Sequence, residues 1–285
     1  MNKVGVLQEI VRHPIKSLHG ESVQRTHVMS YGLYGDRSHV LWDQSRPGKY
    51  LTMTQCPDMV KYRARFVMDE ALGETSGAII ESSDLDFTDL GTGTGSNLDL
   101  NSGLASGSGS GSKDILAAYP PVEITTPTGE VIRWTDAAFQ HEMEQLSGRE
   151  LSLEQYATTE VLFGAIEEEH VLIVTDASLQ ALHPLWGQEA NFHRFRPNLL
   201  LALNEPNPFA EETWFGKTLH IGDVQLKVQR YCERCMIITI DPDSAEQDAS
   251  LLKWIAKERS NHFGVYATVV KTGIIEAGQA VWLSE

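Results

Sequence analysis

The 285-residue chain holds only three cysteines, Cys56, Cys232 and Cys235. So few in this length cannot build a disulfide framework, and a reduced, cytoplasmic setting is the expectation. Long apolar runs are missing too: the longest, Val171–Val174 and Leu199–Leu203, are strand-sized, so no membrane span is expected. The opening MNKVGVLQEIVRHPIKS has no apolar segment followed by a small-residue cleavage site, and so no visible secretory signal. Positive charge is scarce: 23 Lys and Arg face 39 Asp and Glu, a formal net charge of −16 at pH 7. That balance argues against non-specific nucleic-acid binding, which needs a basic surface. It also means that an acidic partner protein must find a local basic patch.

What is present is ordinary for a soluble globular chain, 41% hydrophobic and 22% charged, with length for one large or two average domains. One stretch departs from it. GTGTGSNLDLNSGLASGSGSGSKD, from Gly91 to Asp114, has almost no large apolar side chains. It cannot bury enough surface to offset its ordering entropy and reads as a flexible insert over residues 91–113. No Lys-Ser/Thr pair follows the glycines, so a phosphate-gripping loop is a poor reading.

Before the insert, VGVLQEIVRHPI, SVQRTHVM, SHVLWD, KYLTMT and KYRARFVM are short β-prone runs bounded by Gly, Pro and Asp. After it, VEITTPTGEVIRW reads as a hairpin turning at Pro127-Thr128-Gly129. TDAAFQHEMEQLSG predicts a helix capped by Thr135 or Asp136, with Phe139, Met143 and Leu146 on one face and Gly148 as its stop. HVLIVTDASLQALHPLW predicts a buried strand leading into a helix capped by Thr175 or Asp176. PNLLLAL, TLHIGDVQLKVQRY, CMIITID, VYATVVKTG and AVWLSE predict further strands, with one helix in SLLKWIAKERS. The fold class expected is mainly β with a few helices (α+β), made of small barrels or sandwiches rather than a doubly wound sheet.

The chemistry concentrates in QRYCERCMIITIDPD, residues 229–243, where two cysteines stand three apart. A closed four-cysteine zinc site is impossible with one further cysteine; a mixed site that borrows histidines stays open. A dithiol switch needs its first cysteine at a helix N-terminus, and MIITID is strand-like instead. One working thiolate, or two structural cysteines, are the simpler readings.

The motif has company. Phe195-Arg196-Pro197-Asn198, Trp214-Phe215-Gly216 with Leu219-His220-Ile221-Gly222, Cys232-Glu233-Arg234-Cys235 through Asp241-Pro242-Asp243, and the closing HFGVYATVVKTGIIEAGQAVWL together resemble the MOSC domain. HPIKSLHG (His13 to Gly20), YGDRSHVLWD with Asp36 and Arg37, and LTMTQCP at Leu51–Pro57 resemble the β-rich domain that precedes MOSC in molybdenum-containing amidoxime reductases and their bacterial relatives. The implied organisation is a MOSC N-terminal β-barrel-like domain over 1–90 and 114–150, interrupted by the insert at 91–113, then a MOSC domain over 151–285.

The resemblance further implies a molybdenum cofactor (molybdopterin) with Cys235 as metal ligand and catalytic thiolate, a soft sulfur suited to molybdenum. Arg234 is expected to help keep Cys235 ionised, and Asp241 is a candidate catalytic acid or orienting group. Lys16, Ser17, Arg37, Ser178, Arg196 and Asn198 are the implied cofactor-binding residues, cations and hydroxyls for a phosphate and a polar ring. The activity implied is reduction of a small N-hydroxylated substrate, with electrons from a separate donor protein of ferredoxin, flavoprotein or cytochrome type. Such a donor is expected to dock on the arginines at 63, 65, 194 and 196. Two alternatives remain: Cys235 as a persulfide sulfur carrier for metal–sulfur centres, or a non-catalytic cofactor carrier or binding module. The sequence departs from the family at Thr54-Gln55, where Arg-Gln is common, so one cation near the cofactor is expected to be missing. Ending at Glu285 without further cysteines, it is expected to lack an appended iron–sulfur domain.

Overall fold

The computed structural model describes residues 1–67, 118–166 and 168–285; the insert expected over 91–113 lies outside them. The N-terminal elements are β1 (Asn2–Arg12), β2 (Glu21–Val23), β3 (Arg25–Met29), β4 (Gly32–Leu33), β5 (His39–Asp43) and β6 (Arg63–Phe66). A hairpin of β7 (Val122–Thr125) and β8 (Val131–Arg133) leads to α1 (Ala137–Ser147), β9 (Leu151–Gln155) and the short α2 (Phe163–Ile166). Then come β10 (Val171–Thr175), α3 (Asp176–Trp186), β11 (Leu199–Leu203), β12 (Thr218–Ile221) and β13 (Val224–Glu233). The chain finishes with α4 (Ser250–Glu258), β14 (His262–Lys271), β15 (Gly273–Glu276) and β16 (Ala280–Ser284).

Seven strands close on themselves as a barrel. β11, β10, β14, β13, β12, β16 and β1 follow one another around it, and β1 pairs back onto β11. Only the β10–β11 pair among these is parallel. Alternation explains the inside: in β13, Val224, Leu226 and Val228 point inward, buried, while Gln225 and Lys227 do not. Leu7, Ile10, Ile173, Leu199, Leu201, Leu219, Ile221, Val265 and Val281 fill the rest of the interior. β10 is buried at all five positions because both its faces are covered. Its outer face meets a second cluster in which Leu182 of α3 and Leu251 and Ile255 of α4 pack with Val174, Phe195, Leu200 and Phe263.

β1 reaches its two neighbours through register shifts at Lys3/Gly5 and Leu7/Glu9. A Cβ on Gly5 would lie 2.1 Å from the Ala202 carbonyl oxygen, so only glycine permits that approach of β1 to β11. Three smaller sheets, β15-β3-β4, β5-β9 and β6-β7-β8, surround the barrel. No helix of the described residues is long and apolar enough to cross a membrane.

Most of the expected elements form. α1 ends at Gly148 in the left-handed conformation, φ 66°, and buries Phe139 and Met143. Leu146, expected on the same face, is instead on the surface side. Two expected strands are absent. KYLTMT forms a single bridge from Tyr50 to Trp42 and then turns, and MIITID becomes a 3-10 turn over Met236–Thr239. The second run pairs only through an isolated bridge from Ile240 to Gln247, while Ile238 is fully buried in the cluster under α4; packing overrides β propensity here.

Candidate functional site

The loop after β1 and the turn before β5 are laced together by their backbones. The Arg37 amide donates to the His13 carbonyl (2.6 Å), the Lys16 amide to His39 (2.9 Å) and the His39 amide to Pro14 (3.0 Å). Seven non-glycine residues among those described have positive φ, and three are Ser17 (72°), Arg37 (52°) and Arg196 (52°). Each is an implied cofactor-binding position, and left-handed backbone at non-glycine residues concentrates where function over-determines it.

Side chains join the same segments. Arg196 Nη1 donates to the Leu18 carbonyl (2.9 Å) and Arg37 Nη2 to the Arg196 carbonyl (3.4 Å). Buried Lys16 donates to the carbonyl of Ala165 in α2 (3.0 Å), with its ammonium 5.6 Å from the Tyr50 ring centre. Asp36 is 1% exposed. It accepts from the His13 amide (2.7 Å) and Asn198 Nδ2 (3.0 Å) and pairs with the Arg37 guanidinium. Burial alone would raise its pKa, yet Arg37 and His13 outweigh burial and hold the carboxyl well below the usual range. Asn198 Oδ1 in turn accepts from the Leu172 amide (3.1 Å), which anchors this group to the start of the β10–β11 pair. Lys16, Ser17, Arg37, Arg196 and Asn198 are thus brought together.

A small pocket adjoins them, lined by His13, His19, His193 and Arg196 with apolar Met53 and Ile240. The His19 and His193 rings are 5.2 Å apart. His19 Nδ1 lies 2.8 Å from the Gly20 carbonyl oxygen, so it carries the proton, and Nε2 is left to accept from Arg63 Nη1 (3.3 Å). Burial pushes His19 down to about 4 and, outside the pocket, His39 likewise; burial with the neighbouring Arg196 lowers His13 as well. These groups are neutral when folded and protonate near 6.5 when unfolded. The unfolded chain therefore binds more protons below about 6.5, and stability falls with pH through the window down to about 4. Glu211, raised by burial, acts with the opposite sign, while His27, His170 and His193, also lowered by burial, act with the three. Urea midpoints are expected to fall between neutral pH and about pH 5, and less so in His13→Gln; a midpoint that holds or rises contradicts this assignment.

Cys235 is exposed and heads the 3-10 turn. Its segment is tied to the cradle one residue away, where Arg234 Nη2 donates to the carbonyl of Phe195 (2.9 Å), the neighbour of Arg196. Arg194 Nη1 donates to the Ile238 carbonyl (3.4 Å) on the other side. Contrary to expectation, the Arg234 guanidinium addresses the other sulfur: Nη1 lies 2.7 Å from Cys232 Sγ, which is buried against Leu172 and Tyr266. The two thiols therefore have different surroundings, one in the core and one at the surface.

Asp241 accepts from the amides of Asp243 (3.0 Å) and Ser244 (2.9 Å) and from Arg194 Nη2 (2.7 Å). Burial opposes ionisation, but those donors and Arg194 prevail and lower its pKa. A carboxylate held ionised orients its donors and holds no proton to give, which favours the orienting reading over the acid. Of the four arginines expected to form a basic patch, Arg63 pairs with Asp243, Arg65 with Glu123 and Arg194 with Asp241, and Arg196 is buried. Their charges are largely answered within the chain.

Ser178 lies elsewhere. In the parallel pair Ile173 is level with Leu199 and Thr175 with Leu201, so Asn198 sits at the start of the pair and Ser178 beyond its end. The Ser178 hydroxyl is engaged there: it donates to the buried Glu211 carboxylate (2.7 Å) and accepts from the Phe209 amide (2.8 Å). Thr175 Oγ1 lies 2.8 Å from the same hydroxyl and 3.0 Å from Glu211. TDASL thus starts a helix and anchors Glu211 rather than joining Arg196. Glu211→Ala is expected to remove about 2–4 kcal/mol of stability by stranding two buried hydroxyls over a cavity. Denaturant titration checks this, and a change within error would show that the network contributes little.

Sequence reasoning passed over Asp36, His13, His19, His193 and the Ala165 carbonyl. Asp36 and His13 stood in motifs already quoted, and nothing local marks an acid as central to a cation cluster. The donors present suit an anionic, sulfur-bearing cofactor: Lys16, Arg37 and Arg196 are buried in an acidic chain, three backbones are strained around them, and an exposed thiol adjoins.

Residues 157–282 match the MOSC domain family and residues 4–88 the MOSC N-terminal beta barrel domain. The chain is 33% identical over 125 residues to human mitochondrial amidoxime reducing component 2, covering 39% of this chain and 36% of that protein. It is 24% identical over 309 aligned positions to the bovine protein of the same name, covering 99% of this chain and 84% of the relative. Molybdenum cofactor sulfurase 2 of Culex quinquefasciatus is 31% identical over 128 residues, 41% of this chain and 16% of that protein. The aligned stretch thus spans about a third of the human relative's length and most of the bovine one's.

Proposed function

We propose that this chain, a MOSC-domain protein with a MOSC N-terminal β-barrel domain, binds the molybdenum cofactor and reduces N-hydroxylated compounds. The observation that carries the reading is the juxtaposition of exposed Cys235 with a buried cationic cradle, through the Arg234 bond to Phe195. Cys235 would hold the metal; Lys16, Ser17, Arg37 and Arg196 would hold the phosphate and ring, with Asn198 fixing Asp36 behind them. When bound, the cofactor supplies a two-electron centre able to take oxygen from nitrogen. The overall change balances as R–NH–OH plus two electrons and two protons giving R–NH2 and water. The electrons come from a separate donor protein, since any side-chain couple would be spent after a single turnover.

The chain's residues do the rest. Lys16, Arg37 and Arg196 neutralise phosphate charge where solvent is excluded, and Asp241 with Arg194 fixes the turn that follows the thiolate turn. The division into 1–90 with 114–150 and 151–285 belongs to the same proposal.

The exposure of Cys235 also suits a second reading, a persulfide carrier, and a sulfurase is among the relatives. A sulfur carrier needs no buried cation cradle, which favours the first. Metal and pterin analysis of the full chain from a host that makes the cofactor separates them. Near-stoichiometric molybdenum with pterin, and turnover of an aryl amidoxime with a reduced dye, are expected. Metal-free protein bearing a cyanide-labile sulfur on Cys235 would establish the carrier instead.

A further inference from the structure

We propose that Asp36 is the positioning residue of the cofactor cradle, one buried carboxylate that sets Arg37, Asn198 and the loop after β1 in register with each other. The proposal rests on the function proposed above and goes beyond it by assigning the group that organises the site.

Three segments distant in sequence meet on this side chain. Its Oδ1 accepts from the His13 amide at the head of the loop carrying Lys16 and Ser17; its Oδ2 accepts from Asn198 Nδ2 and from Arg37 Nη1. All three partners are donors, so the centre must be acceptor-only, which an ionised aspartate is and an asparagine is not. An amide in its place would turn an N–H toward one of these donors, and with 1% exposure no solvent relieves the mismatch. The carboxylate also offsets the charge of Arg37, so that Arg37 can remain buried at φ 52° beside Arg196, whose carbonyl it bonds. Moving Asp36 therefore moves Arg37 directly, and Arg196 and the Lys16 loop through one hydrogen bond each.

Asp36→Asn, Asn198→Asp and the double variant, produced as full chains in a cofactor-making host, test this. Pterin per chain is read by fluorescence after oxidative release, retention by re-assay after dilution, and folding by thermal melting. Asp36→Asn is expected to melt cooperatively and retain pterin about tenfold less well than the parent, the loss of one charge-assisted contact. Asn198→Asp sets two carboxylates side by side and is expected to fail similarly. The double variant returns one carboxylate and one amide to the pair but still turns the amide of residue 36 toward Arg37 and the His13 amide, so it is expected to melt cooperatively and retain pterin no better than Asp36→Asn. Undiminished retention in Asp36→Asn, retention restored to the parent level in the double variant, or failure of both to fold overturns the proposal. A parent that takes up no pterin overturns the proposed function itself, and this positioning role with it.

Discussion

Cys235→Ser is expected to purify folded and with its molybdenum-dependent turnover gone, whereas Cys232→Ser keeps most of its own. The asymmetry follows from where the sulfurs lie. Cys235 is exposed at the head of a 3-10 turn, so its substitution touches no core contact. Serine offers a hard oxygen where a soft thiolate suits the metal. Cys232 is 1% exposed and accepts from Arg234 at 2.7 Å. A serine hydroxyl still accepts that bond, so the cost is one of packing, about 1 kcal/mol, with turnover little changed. Turnover with a reduced dye, thermal melting and sulfur-sensitive X-ray absorption at the metal check both halves. Equal loss from the two substitutions would mean that the pair works as a dithiol or a shared metal site, and the single-thiolate reading would fall.

Arg196→Ala is expected to give folded protein depleted in pterin by roughly ten- to a hundredfold, the ~1.5–3 kcal/mol of a charge-assisted contact. Arg196 sits at φ 52° and donates to the Leu18 carbonyl, so two effects need separating. Arg196→Gly relieves the backbone and should melt no lower than Arg196→Ala, yet lose pterin equally if the guanidinium is what grips it. Arg196→Lys keeps the charge but loses the fork, and should fall between the parent and Ala. Full pterin content in Arg196→Ala would remove Arg196 from the cradle.

Much of the fold was legible because its signals are local. Gly148 can enter the left-handed region and stops α1 there; Pro127-Thr128-Gly129 turns one hairpin, and the alternation of VQLKVQRY marks a strand with one buried face. The chemistry was legible in part for the same reason: two cysteines without a second cysteine pair exclude a closed four-cysteine zinc site on count alone.

Other features depend on contacts that leave no local trace. β1 pairs with β11 nearly two hundred residues later to close the barrel, a pairing that periodicity cannot express. MIITID has the composition of a strand but pairs only through one bridge, Ile240 to Gln247, and burial of Ile238 under α4 makes it a turn. Ser178 was misplaced beside Arg196 because motif order says nothing of which end of a parallel pair a residue reaches. Arg234 stands between the two cysteines in sequence, and only the fold turns it to Cys232. The sequence by itself determined the β-rich class and the turns, since propensity and spacing act over a few residues. The tertiary structure alone decided which polar groups meet: the Asp36 carboxylate gathers the His13 amide and the Asn198 side chain beside Arg37, and burial strengthens those bonds.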